Sequence, residues 1–380
     1  MLPQPPDQSR STGDAAVASA RKAQLRYVDD RQPGIARTRN STGFVYRRPD
    51  GSLIKDPQEL TRLEAIAVPP AWINVWICVH ANGHIQATGR DARGRKQYRY
   101  HARWRSVRDE AKYEHILSFG AALPTIRRRV AADLAKPGLP REKVLAAVIA
   151  LMERTLARIG NAEYARQNDS FGLTTLKNRH VRIMAGRIEL NFRAKSGIRH
   201  HSVVSDRKLA RILKNCRDLP GSELFQYIDE DGQLHSVESG DINEYLRSTS
   251  GQDITAKDFR TWAATNLAFL ALNKLTDEKP SNRGLVQVIK EVAQQLGNTP
   301  AVCRKSYIHP AVMEAYLQEG LRRKLAPVDP ERYPSEIWAF EQKVLRFLRA
   351  WISGSAAEQT LKVALKRSIK SRRKTTALAG

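Results

Sequence analysis

The chain has 380 residues, 41% of them hydrophobic, and its 64 lysines and arginines outnumber its 39 aspartates and glutamates. This length and composition predict a globular protein of two or three domains and exclude a disordered chain. The formal net charge of +25 exceeds what solubility requires and predicts a polyanionic partner. Nucleic acid is the first candidate, and an anionic membrane surface is the rival.

Signals for membranes, secretion and disulfides are missing from the sequence. No apolar run is long enough for a spanning helix, no basic amphipathic anchor is recognisable, and the N-terminal residues lack the apolar core of a signal peptide. The three cysteines, Cys78, Cys216 and Cys303, are far apart and never form CxxC. This spacing argues against a disulfide framework or a zinc site and is typical of a reducing compartment. We therefore expect a cytoplasmic protein.

Two hairpin patterns predict a small, mainly β N-terminal domain over residues 24–110. Residues 1–23 are rich in Pro, Ser and Ala and are predicted to be disordered. GFVYRRPDGSLI predicts a strand, a Pro-Asp-Gly turn and a strand, and WINVWICVHANGHIQATG predicts a strand, an Asn-Gly turn and a strand. PQELTRLEAIAV between them predicts a helix. The Asn-Gly turn also favours a hairpin over a metal pair for the two histidines of HANGH.

Residues 111–352 predict a larger, mainly α domain. PREKVLAAVIALMERTLARIG is its clearest helix, with Val144, Val148, Leu151 and Thr155 on one stripe. The segments GRIELNF and IRHHSVV flank a turn at AKSG and predict a β-hairpin insertion. Later helices are predicted in TAKDFRTWAATNLAFLALNKL, RGLVQVIKEVAQQLG and SEIWAFEQKVLRFLRAWI. Residues 353–380 form a basic tail, for which contact with nucleic acid and a solvated arm are both open.

One tyrosine lies between two helix breakers in LGNTPAVCRKSYIHP, residues 296–310. Gly297 ends one predicted helix, Thr299 and Pro300 start a short one, and Pro310 starts the next. Tyr307 closes the short helix, just after two cations. It is either an ordinary part-buried residue or a nucleophile whose neighbouring cations bind a phosphate.

Common metal and nucleotide motifs are absent. The sequence has no GxxxxGK[ST] phosphate loop, and DEDG at residues 229–232 lacks the acidic spacing of a calcium loop. The adjacent His200 and His201 point to opposite faces of a predicted strand, which argues against a shared ligand site. We therefore expect no metal and no cofactor.

Three further cations occupy unusual places. Arg158 continues the helical stripe at the end of its predicted helix, just before Gly160, and the alternative is a favourable interaction with the helix C-terminus. Arg260 lies in the first turns of a helix that Thr255 and Asp258 could open as a capping box, and the alternative is a surface ion pair. Lys195 lies at the tip of the predicted hairpin, and the alternative is a solvated turn lysine.

With the help of these cations, Tyr307 could attack a phosphodiester. A phenol that attacks phosphorus produces a phosphorane, whose extra negative charge two arginines can stabilise through paired hydrogen bonds. A lysine on the hairpin can protonate the leaving 5′ oxygen, and Asn298 can complete the set of donors. The phosphotyrosyl ester would conserve the bond energy, so that religation needs neither ATP nor a metal.

Five segments, in order, resemble those of type IB DNA topoisomerases. RIGNAEYARQNDSFGLTTLKNRHV, residues 158–181, resembles the segment with their first catalytic arginine. FRAKSG resembles their catalytic-lysine hairpin, KDFRTW their second-arginine helix and GNTPAVCRKSY their nucleophile segment. GRDARGRKQYRYH, residues 89–101, is similar to a DNA-contacting strand of the poxvirus-like N-terminal domain. The resemblance implies an α+β protein, with a small β domain and a helical catalytic domain that form a C-shaped clamp around duplex DNA.

The resemblance also implies roles for individual residues. Arg158, Lys195, Arg260 and Tyr307 match catalytic positions, and Lys257 matches a further active-site lysine. The N-terminal segment supplies the expected DNA contacts, namely Arg95, Gln97, Tyr98 and Tyr100. Asn298 departs from the histidine of the poxvirus and eukaryotic enzymes; it can donate a hydrogen bond but cannot be cationic. This asparagine resembles the bacterial branch and suggests a bacterial source.

Two alternatives to a topoisomerase remain open. A tyrosine recombinase uses related chemistry, but its second arginine usually follows HxxR, where this chain has Lys257-Asp-Phe-Arg260. A noncatalytic DNA-binding protein could keep the scaffold, although the intact Arg, Lys, Arg and Tyr set argues against it. We expect a monomer that acts on double-stranded DNA in the nucleoid.

Overall fold

The structure is a computed structural model that describes residues 17–41, 43–275, 280–318, 321 and 338–354. It divides into two compact units, residues 1–114 and 115–380. The first unit contains a five-stranded antiparallel sheet and the second is mainly helical. The expected α+β class is therefore confirmed.

The sheet of the first unit has the strand order β2-β1-β3-β4-β5. Its strands are β1 (Ile35–Asn40), β2 (Gly43–Arg47), β3 (Ile73–Ile77), β4 (Ile85–Arg90) and β5 (Lys96–Tyr100), and the helix α2 (Pro57–Ala65) follows β2. The predicted Asn-Gly hairpin is confirmed as β3 and β4, which pair antiparallel. The strand predicted after the Pro-Asp-Gly turn is wrong, because only a single bridge joins Leu53 to Arg47. Ile35, Leu63 and Ile77 are fully buried in the core between the sheet and α2.

A short helix, α1 (residues 17–22), precedes the sheet. Ala20 and Ala23 are buried and pack with Leu25 and Trp104. The disorder predicted for residues 1–23 is therefore wrong for the end of that segment, because small apolar side chains there pack into a core. Residues 1–16 lie outside the described part of the chain.

The second unit is built mainly from helices, and the first of them begins before the boundary at residue 114. Their bounds are α3 (Ala102–Ala135), α4 (Arg141–Thr155), α5 (Ala162–Asn168), α6 (Arg207–Arg217), α7 (Ser239–Ser250), α8 (Ala256–Lys274), α9 (Asn282–Gln295), α10 (Pro300–Ser306), α11 (Pro310–Leu317) and α12 (residues 338–354). All residues from Val144 to Met152 are buried, so α4 lies at the centre of this unit. The basic tail predicted for residues 353–380 lies outside the described residues, apart from the last two residues of α12.

The predicted end of α4 is wrong. The helix stops at Thr155, and Leu156 adopts a left-handed conformation with φ 54°. Arg158 therefore lies in an irregular segment after the helix and not in the last helical turn, where we expected it. The stripe of Val144, Val148, Leu151 and Thr155 is nevertheless buried as predicted.

The β insertion is larger than the predicted hairpin. Strands β6 (Val181–Met184), β7 (Arg187–Arg193) and β8 (Arg199–Ser205) form a three-stranded antiparallel sheet, and β9 (Gln226–Ile228) pairs with β10 (Leu234–Ser236). The β7–β8 pair is the predicted hairpin, and its tip holds Lys195. Residues 229–232 form the turn between β9 and β10, in which Asp229 O accepts from Gly232 N at 3.1 Å.

Two features are absent from the described residues. No helix among them is long and apolar enough to cross a membrane. In the same part of the chain, no group of three or more His, Cys, Asp or Glu side chains could hold a metal ion.

Candidate active site

A pocket of about 400 Å³ in the second unit brings together five residues from four separate segments of the chain. Arg158, Lys195, Lys257, Arg260 and Tyr307 all line it. Ile159, Gly160, Asn161, Tyr164, Ser170, Phe171 and Ala256 complete the lining. Arg304 and Lys305, the cations next to Tyr307 in sequence, are exposed and do not line this pocket. Its positive charge therefore comes from residues distant in sequence.

Tyr307 is the residue that ends α10. Thr299 caps this helix as predicted, since its hydroxyl accepts a hydrogen bond from Val302 N at 3.4 Å. The Thr265 hydroxyl on α8 accepts from His309 N at 3.2 Å, and its one proton is shared between Thr261 O at 2.8 Å and Tyr307 O at 3.2 Å. The backbone of Tyr307 is thereby fixed against the helix that carries Arg260. The ring itself is half-buried and packs against the core while it lines the pocket.

Arg260 lies in the second turn of α8. The predicted cap is present, because the Asp258 carboxylate accepts from Thr255 N at 2.8 Å. Arg260 is only 4% exposed, and its two terminal nitrogens donate to Leu156 O and Leu296 O, the latter at 2.6 Å. The surface ion pair that we considered is therefore wrong.

The guanidinium of Arg260 keeps donors for a substrate. Two of its five N–H groups are used by the two carbonyls, and Nε is buried without a partner among the described residues. Burial lowers the pKa of this guanidinium, and the charge of Arg158 acts in the same direction. The guanidinium carbon lies 5.4 Å from the centre of the Tyr307 ring. A phosphate placed beside the Tyr307 ring would therefore meet these unused donors.

Two glycines hold the segment that carries Arg158. Gly160 has φ +108°, and a Cβ on Gly172 would lie 2.5 Å from Gly160 N and 2.7 Å from Arg158 O. Leu173 N donates to Arg158 O at 2.9 Å, and Thr174 N donates to Ile159 O at 2.7 Å. The backbone of residues 158–160 is thus locked against residues 172–174, and the half-buried Arg158 side chain is free to enter the pocket.

Asn298 lies beside Arg158. Its Oδ1 accepts a hydrogen bond from Arg158 Nη2, and its Nδ2 is buried without a partner in the described part of the chain. Gly297, with φ +59°, ends α9 as predicted and turns the chain so that Asn298 can face Arg158. A buried donor without a partner costs free energy unless a ligand accepts its hydrogen bond. Asn298 is not among the residues that line the pocket, and the structure connects it to the site through its bond to Arg158.

Lys195 occupies the tip of the β7–β8 hairpin, as predicted. The turn is tight because Ser196 and Gly197 both have positive φ, 67° and 76°. Lys195 is exposed, and its Nζ lies 5.7 Å from the centre of the Tyr164 ring, close enough for a cation–π contact. The ring of Tyr164 therefore gives the exposed lysine a partner at the pocket, which the sequence did not indicate.

Sequence reasoning also missed His200 as a neighbour of this site. Its ring packs on Phe192 at 4.9 Å between centres, and its Nε2 lies 3.2 Å from the Ser202 hydroxyl. Burial lowers the pKa of His200 to about 4, with the charges of Arg260 and Arg158 as further causes. His200 is thus a neutral residue near neutral pH. His201 bonds to Glu189 instead, at 3.0 Å.

The expected DNA contacts of the first unit do not share one face. Tyr98 and Tyr100 are exposed on β5, the edge strand of the sheet, and their rings stack at 5.8 Å. Gln97 faces the other way and donates to Asp91 at 3.0 Å. Arg95 is exposed and pairs with the same carboxylate at 2.7 Å. The structure therefore places the two tyrosines next to each other, and it places Arg95 and Gln97 together around Asp91.

Comparison with known proteins identifies the family. The family model for the catalytic core of eukaryotic DNA topoisomerase I matches residues 101–326, which is more than half of the chain. The model for the N-terminal domain of bacterial DNA topoisomerase IB matches residues 43–91. The DNA topoisomerase 1B of Acanthamoeba polyphaga mimivirus is 33% identical over 294 residues, which cover 74% of this chain and 87% of the viral protein. The chain belongs to the type IB DNA topoisomerase family.

Other type IB relatives are more distant. The DNA topoisomerase 1B of vaccinia virus, strain Copenhagen, is 26% identical over 237 residues, or 60% of this chain and 70% of the viral protein. The DNA topoisomerase 1 of rabbit fibroma virus is 27% identical over the same length. The match to the catalytic core spans all the residues of the pocket. The pocket therefore lies in the part of the chain that matches the catalytic core of DNA topoisomerase I.

Proposed function

We propose that this type IB topoisomerase relaxes supercoiled duplex DNA by transient cleavage of one strand, rotation of that strand and religation. The observation that supports this mechanism best is the single pocket lined by a phenol, two arginines and two lysines. Neither ATP nor a metal ion takes part in the proposed reaction.

The pocket residues divide the chemistry among them. Tyr307 Oη bonds to phosphorus as the bond to the 5′ oxygen breaks, which leaves a 3′-phosphotyrosyl ester, and the phenolic proton passes to water. Lys195 supplies a proton to the departing 5′ oxygen. Arg158 and Arg260 stabilise the charge on the nonbridging oxygens, and Asn298 Nδ2 adds a neutral donor. Religation reverses these steps.

The proposed partner is duplex DNA, bound by a monomer. The net charge of +25 supports a long contact with phosphates, and the exposed stacked tyrosines of β5 support a contact from the first unit. Following the family resemblance, we propose that the two units enclose the duplex as a C-shaped clamp, with Lys257, Arg95 and Gln97 as further DNA contacts. The bacterial N-terminal family model supports a bacterial source and hence the nucleoid as the site of action.

Relaxation of a supercoiled plasmid in EDTA, without ATP, tests this function. The expected result is a ladder of topoisomers that ends in the relaxed form. A tyrosine recombinase would require paired sites and yield recombinant products, and a noncatalytic DNA-binding protein would leave the supercoils intact. Either of these results would refute the proposal.

Lys195→Ala is expected to be slow on ordinary DNA and close to wild type on a strand with sulfur at the bridging 5′ position. A thiolate is a good leaving group and scarcely needs an acid. Single-turnover cleavage of both substrates measures the effect. Arg158→Ala serves as the matched control and should stay slow on both substrates, since Arg158 stabilises the charge on the nonbridging oxygens. Equal impairment of Lys195→Ala on both strands would reassign the acid, with Lys257 the next candidate.

Asn298→His is expected to add a dependence on pH that the wild type lacks. A protonated imidazole is a stronger donor than an amide, so the ratio of the variant rate to the wild-type rate should fall as the pH rises through the pKa of the introduced histidine. His200 does not contribute such a change, because its pKa of about 4 keeps it neutral. Single-turnover cleavage between about pH 5.5 and 8 measures the ratio. A constant ratio would show that residue 298 does not donate to the phosphate.

A further inference from the structure

A second cavity, of about 420 Å³, opens on the three-stranded sheet of the second unit. Three arginines line it, Arg179, Arg193 and Arg199, and we call it the arginine pocket. Asp169, Phe171, His180, Asn191, Phe192 and Gly197 complete its lining. The reaction proposed above gives this pocket no role.

The positive charges of the arginines lie close together, and nearby carboxylates do not balance them. Arg193 and Arg199 are directly opposite each other on β7 and β8, an arrangement of like charges that destabilises a sheet. The Asp169 carboxylate lies 3.8 Å from Arg193 and is itself exposed. Among the described residues, no carboxylate forms an ion pair with Arg179 or Arg199. A bound anion would relieve this repulsion.

The polar contacts within the pocket leave most guanidinium donors unused. Arg199 Nε donates to Asn191 Oδ1 at 2.9 Å, which orients its fork. Arg179 Nε lies 3.4 Å from His180 Nε2, but His180 Nδ1 accepts from Lys177 N, so the neutral ring has no second acceptor for Arg179. The terminal nitrogens of three guanidinium groups thus remain for a ligand, and their planar forks match the oxygens of a phosphate.

Aromatic rings make the wall of the pocket rigid. The ring centres of Phe171 and His180 are 4.5 Å apart, and those of His180 and Phe192 are 6.4 Å apart. Burial lowers the pKa of His180, with the charges of Arg179 and Lys177 as further causes. These aromatic side chains are therefore uncharged, and the charges of the pocket lie on the three arginines and on Asp169. Such a site is shaped before any ligand arrives.

The arginine pocket adjoins, on the side of Lys195, the pocket that contains Tyr307, which we call the reaction pocket. Phe171 lines both cavities. The tip of the hairpin also serves both, because Lys195 lines the reaction pocket while Arg193, Gly197 and Arg199 line the arginine pocket. Lys195 faces the departing 5′ oxygen in the proposed reaction. The strand that leaves with that oxygen would therefore pass the arginine pocket.

We propose that the arginine pocket binds a backbone phosphate of the strand that ends in the 5′-hydroxyl, within a few nucleotides of the cleavage position. The proposal rests on the proposed function, because it needs a cleaved strand. The pocket holds the free end near the phosphotyrosyl ester, so it speeds religation and limits how far the strand rotates in each cleavage event.

Religation of defined acceptor strands tests this inference. The covalent adduct is formed on a substrate that loses its short leaving strand, and 5′-hydroxyl acceptors are then added. Each acceptor carries one neutral methylphosphonate in place of one of its first few phosphates. With the wild type, one position is expected to slow religation about tenfold, the scale of a lost charge-assisted hydrogen bond. With Arg199→Gln, religation of the ordinary acceptor should already be about tenfold slower than with the wild type. The methylphosphonate at the sensitive position should then cause no further decrease in the rate, because two changes to one interaction are not additive.

Arg187→Gln is the matched control. Arg187 is exposed on the same strand and face as Arg193, roughly 20 Å away at the other end of β7, so the variant loses the same charge outside the pocket. It should show the wild-type response at the sensitive position.

Three results would overturn the inference. The first is that Arg199→Gln and the methylphosphonate slow religation additively, and the second is that Arg187→Gln slows religation as much as Arg199→Gln does. The third is that millimolar inorganic phosphate inhibits religation by the wild type while no neutral linkage has any effect. The last would show that the pocket takes a free anion. Each of these results still requires the Tyr307 adduct, whose absence would instead refute the proposed function.

Discussion

Tyr307→Phe is expected to bind duplex DNA with wild-type affinity and to form no covalent adduct. The substitution removes one oxygen atom and keeps the half-buried ring packed against the core. The backbone of residue 307 stays anchored because its carbonyl accepts from Thr265, and this contact does not involve the phenol. Relaxation of plasmid should therefore disappear while binding remains. Denaturing gels of end-labelled DNA measure the adduct, and a filter-binding assay measures affinity.

Tyr164→Phe provides the comparison for this variant. Tyr164 is the other tyrosine that lines the reaction pocket, and its ring rather than its hydroxyl contacts Lys195. This variant should still form the adduct. An adduct that persisted in Tyr307→Phe and vanished in Tyr164→Phe would assign the nucleophile to residue 164.

Arg260→Ala is expected to slow both cleavage and religation by about two orders of magnitude or more, the usual effect of losing a donor to a developing oxyanion. Arg158→Ala should have a similar effect, since its guanidinium lines the same pocket. Arg260→Lys should recover little activity, because an ammonium cannot donate to Leu156 O, to Leu296 O and to a phosphate with the geometry of a planar fork. Single-turnover rates on a labelled duplex measure these losses.

Stability must be measured alongside the Arg260 variants. Removal of the guanidinium leaves two carbonyls without their donor, which costs about 1–3 kcal/mol for each buried group. Rates should therefore be compared below the unfolding transition of each variant. Arg247→Ala, at an exposed position on α7, controls for the loss of one positive charge. Rates within a few-fold of wild type in folded Arg260→Ala would remove Arg260 from the reaction.

The sequence predicted the elements that carry the site better than the contacts within it. The capping residues Thr255 and Thr299 and the turn at Gly197 are local signals, so α8, α10 and the hairpin tip were foreseeable. The end of α4 was not, because no residue before Gly160 is a helix breaker. The left-handed turn at Leu156 depends on a distant partner, since its carbonyl accepts from Arg260.

Contacts between distant segments account for the rest. The bond from Arg158 to Asn298, the neutral state of His200 and the arginine pocket all depend on packing and on strand register. Arg193 and Arg199 face each other because five residues connect their strands and the pairing of β7 with β8 sets them opposite. No periodicity in the sequence shows which charges will meet in this way.

Because Arg260 binds two backbone carbonyls, we expect few substitutions to be tolerated at this position. Leu156 and Leu296 follow the C-termini of α4 and α9, so one side chain joins three helices. In the proposed mechanism the same side chain also faces the reacting phosphate. In a library of random variants screened only for folded protein, we expect position 260 to be nearly as depleted as in a library selected for DNA relaxation. Position 195, exposed at a turn, should tolerate almost any residue in the first screen and very few in the second. Comparing the two screens would separate residues that only catalyse from one that also holds the fold together.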